Sequence, residues 1–259
     1  MIITSKDNEI IKNIRKLKDK KYRDEKNEFI IEGIKIIEEA MEENAVIKKI
    51  VVCDECSSDL PQDLLYKIAK FDVIYVPEKI FKIITDVNNP QGILAVVEKN
   101  NNKEINYNSD FFLVLDNIQD PGNMGTILRT ADSINLKQII VAKGSSDCYN
   151  PKVVRSTMGA IFRVNVIECD LVKTIKELKK HKIKIFATDL NTENSIYDVK
   201  YEKTAVVIGN EANGVSDAVL DISDEKIKIP MLGRTESLNA GVATGIIVYE
   251  AMRQMNLKK

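Results

Sequence analysis

Three short clusters hold residues able to do chemistry: Asn123-Met124-Gly125 through Arg129, Gly209-Asn210-Glu211 through Gly214, and Pro230 through Asn239-Ala240-Gly241. Each follows an apolar run that reads as a strand and combines glycine with Asn, Glu, Arg or Ser. In the first, Asp116-Asn117-Ile118-Gln119-Asp120-Pro121-Gly122-Asn123 leaves a strand through a Pro-Gly turn and enters a helix. The free N–H groups of such a helix start suit a phosphate or another anion. Arg129 lies about one and a half turns further in. In the second, Glu211 at a strand's carboxyl end can accept hydrogen bonds from a ligand hydroxyl or amine, and the glycines permit close backbone approach. In the third, Ile229-Pro230-Met231-Leu232 leads through Gly233-Arg234-Thr235-Glu236 to Ser237-Leu238-Asn239. Each cluster also has a plainer reading: Asn123 as a helix N-cap and Arg129 as a surface cation, the second loop as an Asx-turn, and Ser237 or Asn239 as the cap of the last helix.

No G-x-G-x-x-G follows a strand and no G-x-x-x-x-G-K-[ST] occurs, so the common nucleotide patterns are excluded. The single histidine, His181, sits where a polar helix end passes into a strand and is expected to be exposed and idle. Ser-His-Asp and Cys-His centres are therefore disfavoured. Cys53 and Cys56 form one C-x-x-C without a second half, and Cys148 and Cys169 stand apart. Reduced, structural cysteines and no metal are expected.

The elements that must position these clusters alternate strand and helix. A helix is expected over Ile10–Arg23, then apolar runs Phe29–Ile31, Ile50–Val52, Val73–Val76 and Ile93–Val97 alternate with helical segments. The polar, asparagine-rich stretch 100–109 reads as a linker. It separates a small α/β domain, 1–99, from a second α/β domain, 110–259. There, strands apolar throughout, such as Phe112-Leu113-Val114-Leu115 and Ala205-Val206-Val207-Ile208, fit a parallel sheet covered on both faces. The final helix carries Ala240, Gly241, Ala243, Thr244 and Gly245, small residues that suit close approach of another backbone or a ligand, across a dimer interface for example, or a helix merely packed on the sheet, the first being favoured.

Over 259 residues the chain has 44% hydrophobic residues, 30% charged residues and a net charge of −1, the composition of an ordinary globular protein. No apolar run approaches the roughly 20 residues of a membrane span, and the N-terminus does not read as a signal peptide, so the cytoplasm is the expected location. Neutral overall, the chain is locally basic: Lys12, Arg15, Lys16, Lys18, Lys20, Lys21 and Arg23 face one acid, Asp19. Such a run can contact phosphates or be a solvated helix face.

Together the three clusters resemble the motifs of the SpoU (TrmH-like) branch of the SPOUT methyltransferases. They match as Asn123-x-Gly125-x-x-x-Arg129, Gly209-Asn210-Glu211-x-x-Gly214-x-Ser216 and Pro230-Met231-x-Gly233-x-x-Glu236-Ser237-Leu238-Asn239, in order and spacing. Arg155-Ser156-Thr157-Met158-Gly159-Ala160 looks like the family's intervening Arg-containing segment. The N-terminal domain is similar to the ribosomal-protein-like substrate-binding domain that often precedes the catalytic one, on Phe29-Ile30-Ile31-Glu32-Gly33 and Pro90-Gln91-Gly92-Ile93-Leu94-Ala95-Val96.

The resemblance implies an α/β trefoil-knot domain that binds S-adenosylmethionine, forms a homodimer and methylates a ribose 2′-hydroxyl of RNA. Ribosomal RNA is the favoured substrate; transfer RNA, or a non-catalytic RNA-binding role on the same scaffold, are the alternatives. It places Arg129, Asn123, Glu211, Ser237 and Asn239 at the reaction. It gives Ile208, Gly209, Asn210, Glu211, Gly214, Ile229, Met231, Ser237, Leu238 and Asn239 to the cofactor. It turns Lys12, Arg15, Lys16, Lys20, Lys21, Arg23, Arg129 and Arg155 toward RNA.

Overall fold

The computed structural model describes residues 1–101 and 104–256, so residues 102 and 103 of the expected linker and 257–259 of the expected second domain lie outside it. By contact density the chain forms two units: Met1–Asn101 with Tyr149–Phe162, and the described residues of 104–148 and 163–256.

In the first unit, β1 (Glu28–Glu32), β2 (Ile47–Cys53), β3 (Val73–Val76) and β4 (Ile93–Glu98) form a mixed sheet in the order β1-β4-β2-β3. The strand β4 is antiparallel to β1 and β2, whereas β2 and β3 run parallel. The residues of β4 alternate between the sheet's two faces. Leu94 and Val96 join one apolar cluster, and Ile93, Ala95 and Val97 the other. Helices α1 (Glu9–Lys16), α2 (Lys20–Lys26), α3 (Ile34–Glu42), α4 (Gln62–Ile68) and α5 (Glu78–Ile84) surround the sheet.

The helix expected over Ile10–Arg23 is two helices. Asp19 turns out of the helix and caps α2 by accepting a hydrogen bond from Lys21 N at 2.9 Å. The carbonyls of Leu17 and Lys18, left without helical partners by the break, accept from Arg23 Nη1 at 2.8 Å each. Arg23 is 2% exposed, which removes it from the RNA-facing set.

Tyr149–Phe162 lies in chain order between strands of the second unit but packs with the first. Val154 is buried in the core beside Phe29, and the Phe29 ring lies 4.8 Å from that of Tyr149 and 6.3 Å from that of Phe162. Within the segment the chain turns at Met158 and Gly159, both with positive φ. A side chain on Gly159 would meet Glu39 Cβ at 3.1 Å.

In the second unit, β5 (Phe111–Leu115), α6 (Pro121–Ser133), β6 (Gln138–Ala142), α7 (Pro151–Thr157, packed with the first unit), β7 (Asn165–Cys169), α8 (Leu171–Lys180), β8 (Lys184–Thr188), β9 (Thr204–Ile208), α9 (Asp217–Leu220), β10 (Glu225–Ile227) and α10 (Ala240–Asn256) follow in turn. Their six strands are ordered β10-β8-β9-β5-β6-β7, and every pairing is parallel. All five residues of β5, β6 and β9 are buried, as a sheet covered on both faces requires. The described part of the expected linker is anchored here: Asn106 exchanges hydrogen bonds with the Gln138 side chain, and Tyr107 stacks on His181 at 4.1 Å. His181 is thus exposed but engaged. Among the described residues no helix is long and apolar enough to cross a membrane.

Candidate active site

The first cluster begins where β5 ends. Asp120 caps α6 by accepting a hydrogen bond from Asn123 N at 2.8 Å, and Pro121 occupies the first helical position. The cap is therefore Asp120, and the Asn123 side chain is free for other work. It is 8% exposed and bonded at both polar atoms: Nδ2 donates to Glu211 Oε1 at 2.7 Å, and Oδ1 accepts from Asn239 Nδ2 at 2.8 Å. Asn239 Oδ1 in turn accepts from Gly241 N at 3.0 Å and Val242 N at 3.2 Å, capping α10. Asn239 thus caps α10 with its amide oxygen while its amide nitrogen reaches Asn123. One chain of side-chain hydrogen bonds joins a residue from each cluster.

The second loop is built by its own residues. Asn210 Oδ1 accepts from Ala212 N and Asn213 N at 2.9 and 3.1 Å, its Nδ2 donates to Asn117 O at 2.9 Å, and its backbone exchanges two bonds with Gly214. A Cβ on Gly209 would sit 2.1 Å from the Gly214 carbonyl carbon, so only glycine fits. The loop is tied back to β5 by Asp116, a buried carboxylate that accepts from Ser216 N at 2.8 Å and Ser216 Oγ at 2.6 Å. Sequence reasoning assigned Asp116 no role.

Between the second and third loops lies a cleft of about 640 Å³. Of the residues expected at the cofactor, Ile208, Gly209, Asn210, Glu211, Gly214, Ile229, Met231, Ser237 and Leu238 line it. Asn239 does not line it and is joined to the lining residue Glu211 through Asn123. Ser237 is exposed and does not cap the helix. Residues 188–191, at the carboxyl end of β8, and Lys226 and Lys228 also line the cleft. Their signal was available as a polar Thr-Asp-Leu-Asn run ending an apolar strand. Asp189 N donates to Ile227 O, its Oδ1 accepts from Asn191 N at 2.9 Å, and Lys226 Nζ stands 3.1 Å from Oδ2. The Asn191 N–H and the lysine hold its carboxyl below the usual aspartate range against the opposing effect of burial.

Arg129 is exposed on α6 and makes no hydrogen bond or ion pair with a described residue. Its neighbours one turn away face α10: a Cβ on Gly241 would meet Thr126 Cγ2 at 3.1 Å, and the Ser133 and Tyr249 hydroxyls are 3.1 Å apart. Gly241 thus admits α6, whereas a Cβ on Gly245 would meet nothing within 4 Å.

The basic residues of the first unit divide. Arg15, Lys16, Lys20 and Lys21 are exposed and Lys12 is partly so, and Lys12, Arg15, Lys16 and Lys21 line an open groove of about 810 Å³ with Tyr22. Lys20 pairs with Asp24 at 2.9 Å and Lys12 with Glu9 at 3.1 Å. Arg155 is half-buried, and its charge acts on Glu32.

The fold and site define an α/β protein with a small-ligand cleft at the carboxyl end of a parallel sheet, a place where such sheets bind ligands. The model of the SpoU rRNA methylase family matches residues 110–249, and that of the MRM3-like substrate binding domain matches residues 8–95. The chain is 35% identical over 248 residues, 95% of its length and 97% of the relative's, to the 23S rRNA (guanosine(2553)-2′-O)-methyltransferase RlmP of Bacillus subtilis. Similar solved structures include the AdoMet-bound rRNA methyltransferase from Sinorhizobium meliloti, with a TM-score of 0.86 and 30% identity over 98% of this chain and 97% of that one. The SpoU methyltransferase AviRb from Streptomyces viridochromogenes, in complex with AdoMet, also superposes at 0.86, with 26% identity over 96% and 98% of the two chains. This chain belongs to the SpoU rRNA methylase family.

Proposed function

We propose that this protein transfers a methyl group from S-adenosylmethionine to a ribose 2′-hydroxyl of ribosomal RNA, in the cytoplasm. The observation that carries this reading is the Glu211–Asn123–Asn239 chain, which locks all three clusters together next to the cleft and leaves the exposed Arg129 on the same helix as Asn123. Relatives over the whole chain include an rRNA 2′-O-methyltransferase and an AdoMet-bound rRNA methyltransferase.

The residues of the cleft fit that cofactor. Its volume suits a small molecule, and Ile208, Ile229, Leu238 and Ile247 supply an apolar wall for a base. Glu211, exposed at the cleft, makes no ion pair with a described residue, its partner Asn123 being neutral, so its negative charge is free to face a cationic ligand. When bound, S-adenosylmethionine supplies an electrophilic methyl on a positively charged sulfur. Ile208, Gly209, Gly214, Ile229, Met231 and Leu238 would hold it, with Glu211 facing its charge. Ser237, exposed at the cleft, would position the substrate ribose with Asn123 and Asn239.

Arg129 keeps its proton at any physiological pH, so its task is to bind RNA phosphate and the negative charge that develops on the attacking oxygen. The groove lined by Lys12, Arg15, Lys16 and Lys21, with Lys20 and Arg155, would extend phosphate contact over a structured RNA. A homodimer would cover the exposed Val242 and Tyr249 of α10 and fill the open side of Gly245. The trefoil knot belongs to the same reading.

Mapping 2′-O-methylation in ribosomal and transfer RNA from cells with and without the protein tests the proposal. One ribosomal nucleotide losing its methyl group is the expected result. An unchanged ribosomal map would overturn it, and a loss in transfer RNA would move the substrate there. Calorimetry with S-adenosylmethionine in the presence of EDTA tests the cofactor, with metal-independent binding expected.

A further inference from the structure

Asp189 lines the cleft, and none of the three clusters contains it. Its strand, β8, lies between β9 and β10, and its own N–H bonds to the last residue of β10. The side chain is 11% exposed, yet it lines the cleft. A carboxylate offers about four acceptor positions. Asn191 N takes one on Oδ1 and Lys226 one on Oδ2, leaving one on each oxygen for a ligand with two adjacent donors.

Charge decides which donors these are. The Asp189 charge is already paired by Lys226 at 3.1 Å, whereas Glu211, which also lines the cleft, has only the neutral Asn123 amide. A cationic part of a ligand is stabilised more by the unpaired carboxylate, and a neutral pair of hydroxyls loses nothing beside the paired one. Position agrees with charge. The strand β8 is two strands from β5, about 10 Å, and β5 leads into the helix of Asn123 and Arg129. The end of the ligand at Asp189 is therefore the end away from those residues.

We propose that Asp189 accepts hydrogen bonds from the 2′- and 3′-hydroxyls of the adenosyl ribose, and so selects a ribonucleoside cofactor. This rests on the cofactor reading above. A carboxylate held ionised is the stronger acceptor, and Asp189 stays ionised below the pH where an ordinary aspartate protonates.

The test is calorimetry on the full chain with S-adenosylhomocysteine, its 2′-deoxy and 3′-deoxy forms, and 5′-methylthioadenosine, which keeps the ribose but lacks the amino acid. On the unaltered protein each deoxy ligand should bind about ten- to a hundredfold more weakly than S-adenosylhomocysteine, the usual weight of a hydrogen bond to a charged group. Asp189→Asn should weaken S-adenosylhomocysteine and methylthioadenosine by a similar factor. It should cost the deoxy ligands much less, because the contact is already gone. Equal affinity of the unaltered protein for the deoxy ligands overturns the proposal without any variant. So does a loss in Asp189→Asn that is as large for the deoxy ligands, or one confined to ligands bearing the amino acid. If the unaltered protein binds none of the four ligands, the cofactor reading itself falls and this proposal with it. Binding that ignores both the ribose hydroxyls and Asp189→Asn sinks the proposal alone.

Discussion

The Asn123 amide donates to Glu211 Oε1 at 2.7 Å across 88 residues of sequence, joining the first turn of α6 to the loop after β9. The bond fixes where the carboxylate sits, and the amide brings no charge to neutralise it. Glu211→Gln can keep the bond by presenting its own amide oxygen, so melting temperature should hold while S-adenosylmethionine affinity falls. Glu211→Ala leaves a buried donor unsatisfied and should also cost about 1–3 kcal/mol of stability. Calorimetry and thermal unfolding of the pair separate charge from scaffold. Equal effects of both variants on affinity and melting would mean that the carboxylate serves only the loop.

Charge reversal of the basic groove and removal of Arg23 should differ in kind. Arg15→Glu with Lys21→Glu, both exposed in the groove, should weaken binding of structured RNA and flatten its salt dependence. Arg23→Ala should leave the salt slope alone and unfold the protein earlier, since two carbonyls lose their donor. Filter binding over a salt series, with thermal melts, reads both. A reduced salt slope in Arg23→Ala would return that residue to the RNA-facing set.

The strand–helix alternation and the covered parallel sheet were legible because β5 and β9 are apolar at every position. The clusters were legible because Asn123, Arg129, Glu211 and Asn239 occupy fixed spacings beside glycines. What spacing could not show is long-range. That Asp120 rather than Asn123 caps α6 depends on which of two capable side chains turns back, and local sequence allows both. The break at Leu17–Asp19 hides in an unbroken apolar stripe, because a buried arginine four residues beyond supplies the missing donors. Asp116 and Asp189 are held by partners distant in sequence, Ser216 and Lys226, so spacing does not show what they do, although a polar run ending an apolar strand marks the position of Asp189.

The packing of Tyr149–Phe162 with the first unit is another long-range fact, and it can be read by hydrogen exchange. Val154 is 1% exposed in the core with Phe29 and Ile31. Val154→Ala removes two buried methyl groups and should cost about 2 kcal/mol once the cavity is included. Amide protection should fall in β1 and leave β6 and β7, which flank the segment in sequence, unchanged. Loss of protection in β6 and β7 instead would place the segment with the second unit.

Burial raises the Glu32 carboxyl above its ordinary value, against the opposing effects of hydrogen bonds from Thr85 and Asp86 and the charge of Arg155. For an acid whose folded pKa exceeds its unfolded value, the folded state binds the proton more tightly. Its contribution therefore favours folding below the unfolded value, near 4.5, and is lost as pH rises through the folded value. The stability of the unaltered protein relative to Glu32→Gln should then rise as pH falls into that window and be flat well above it. Urea unfolding of both at several pH values shows the sign, and the opposite slope would mean that Arg155 and the hydrogen bonds outweigh burial.

Arg129 is the exposed, unpaired guanidinium on the helix that Asn123 begins, flanked by residues that face α10. Arg129→Ala should abolish methyl transfer while leaving S-adenosylmethionine affinity nearly intact, because Arg129 does not line the cleft. Arg129→Lys keeps the charge but loses the planar fork, so it should recover little if two-pronged contact with phosphate or ribose matters. A surface cation with no part in the reaction would change the rate by less than about 1 kcal/mol, roughly fivefold, in either variant. Single-turnover transfer to the native RNA, read beside calorimetry for the cofactor, distinguishes the two. A near-normal rate in Arg129→Ala would remove the arginine from the reaction.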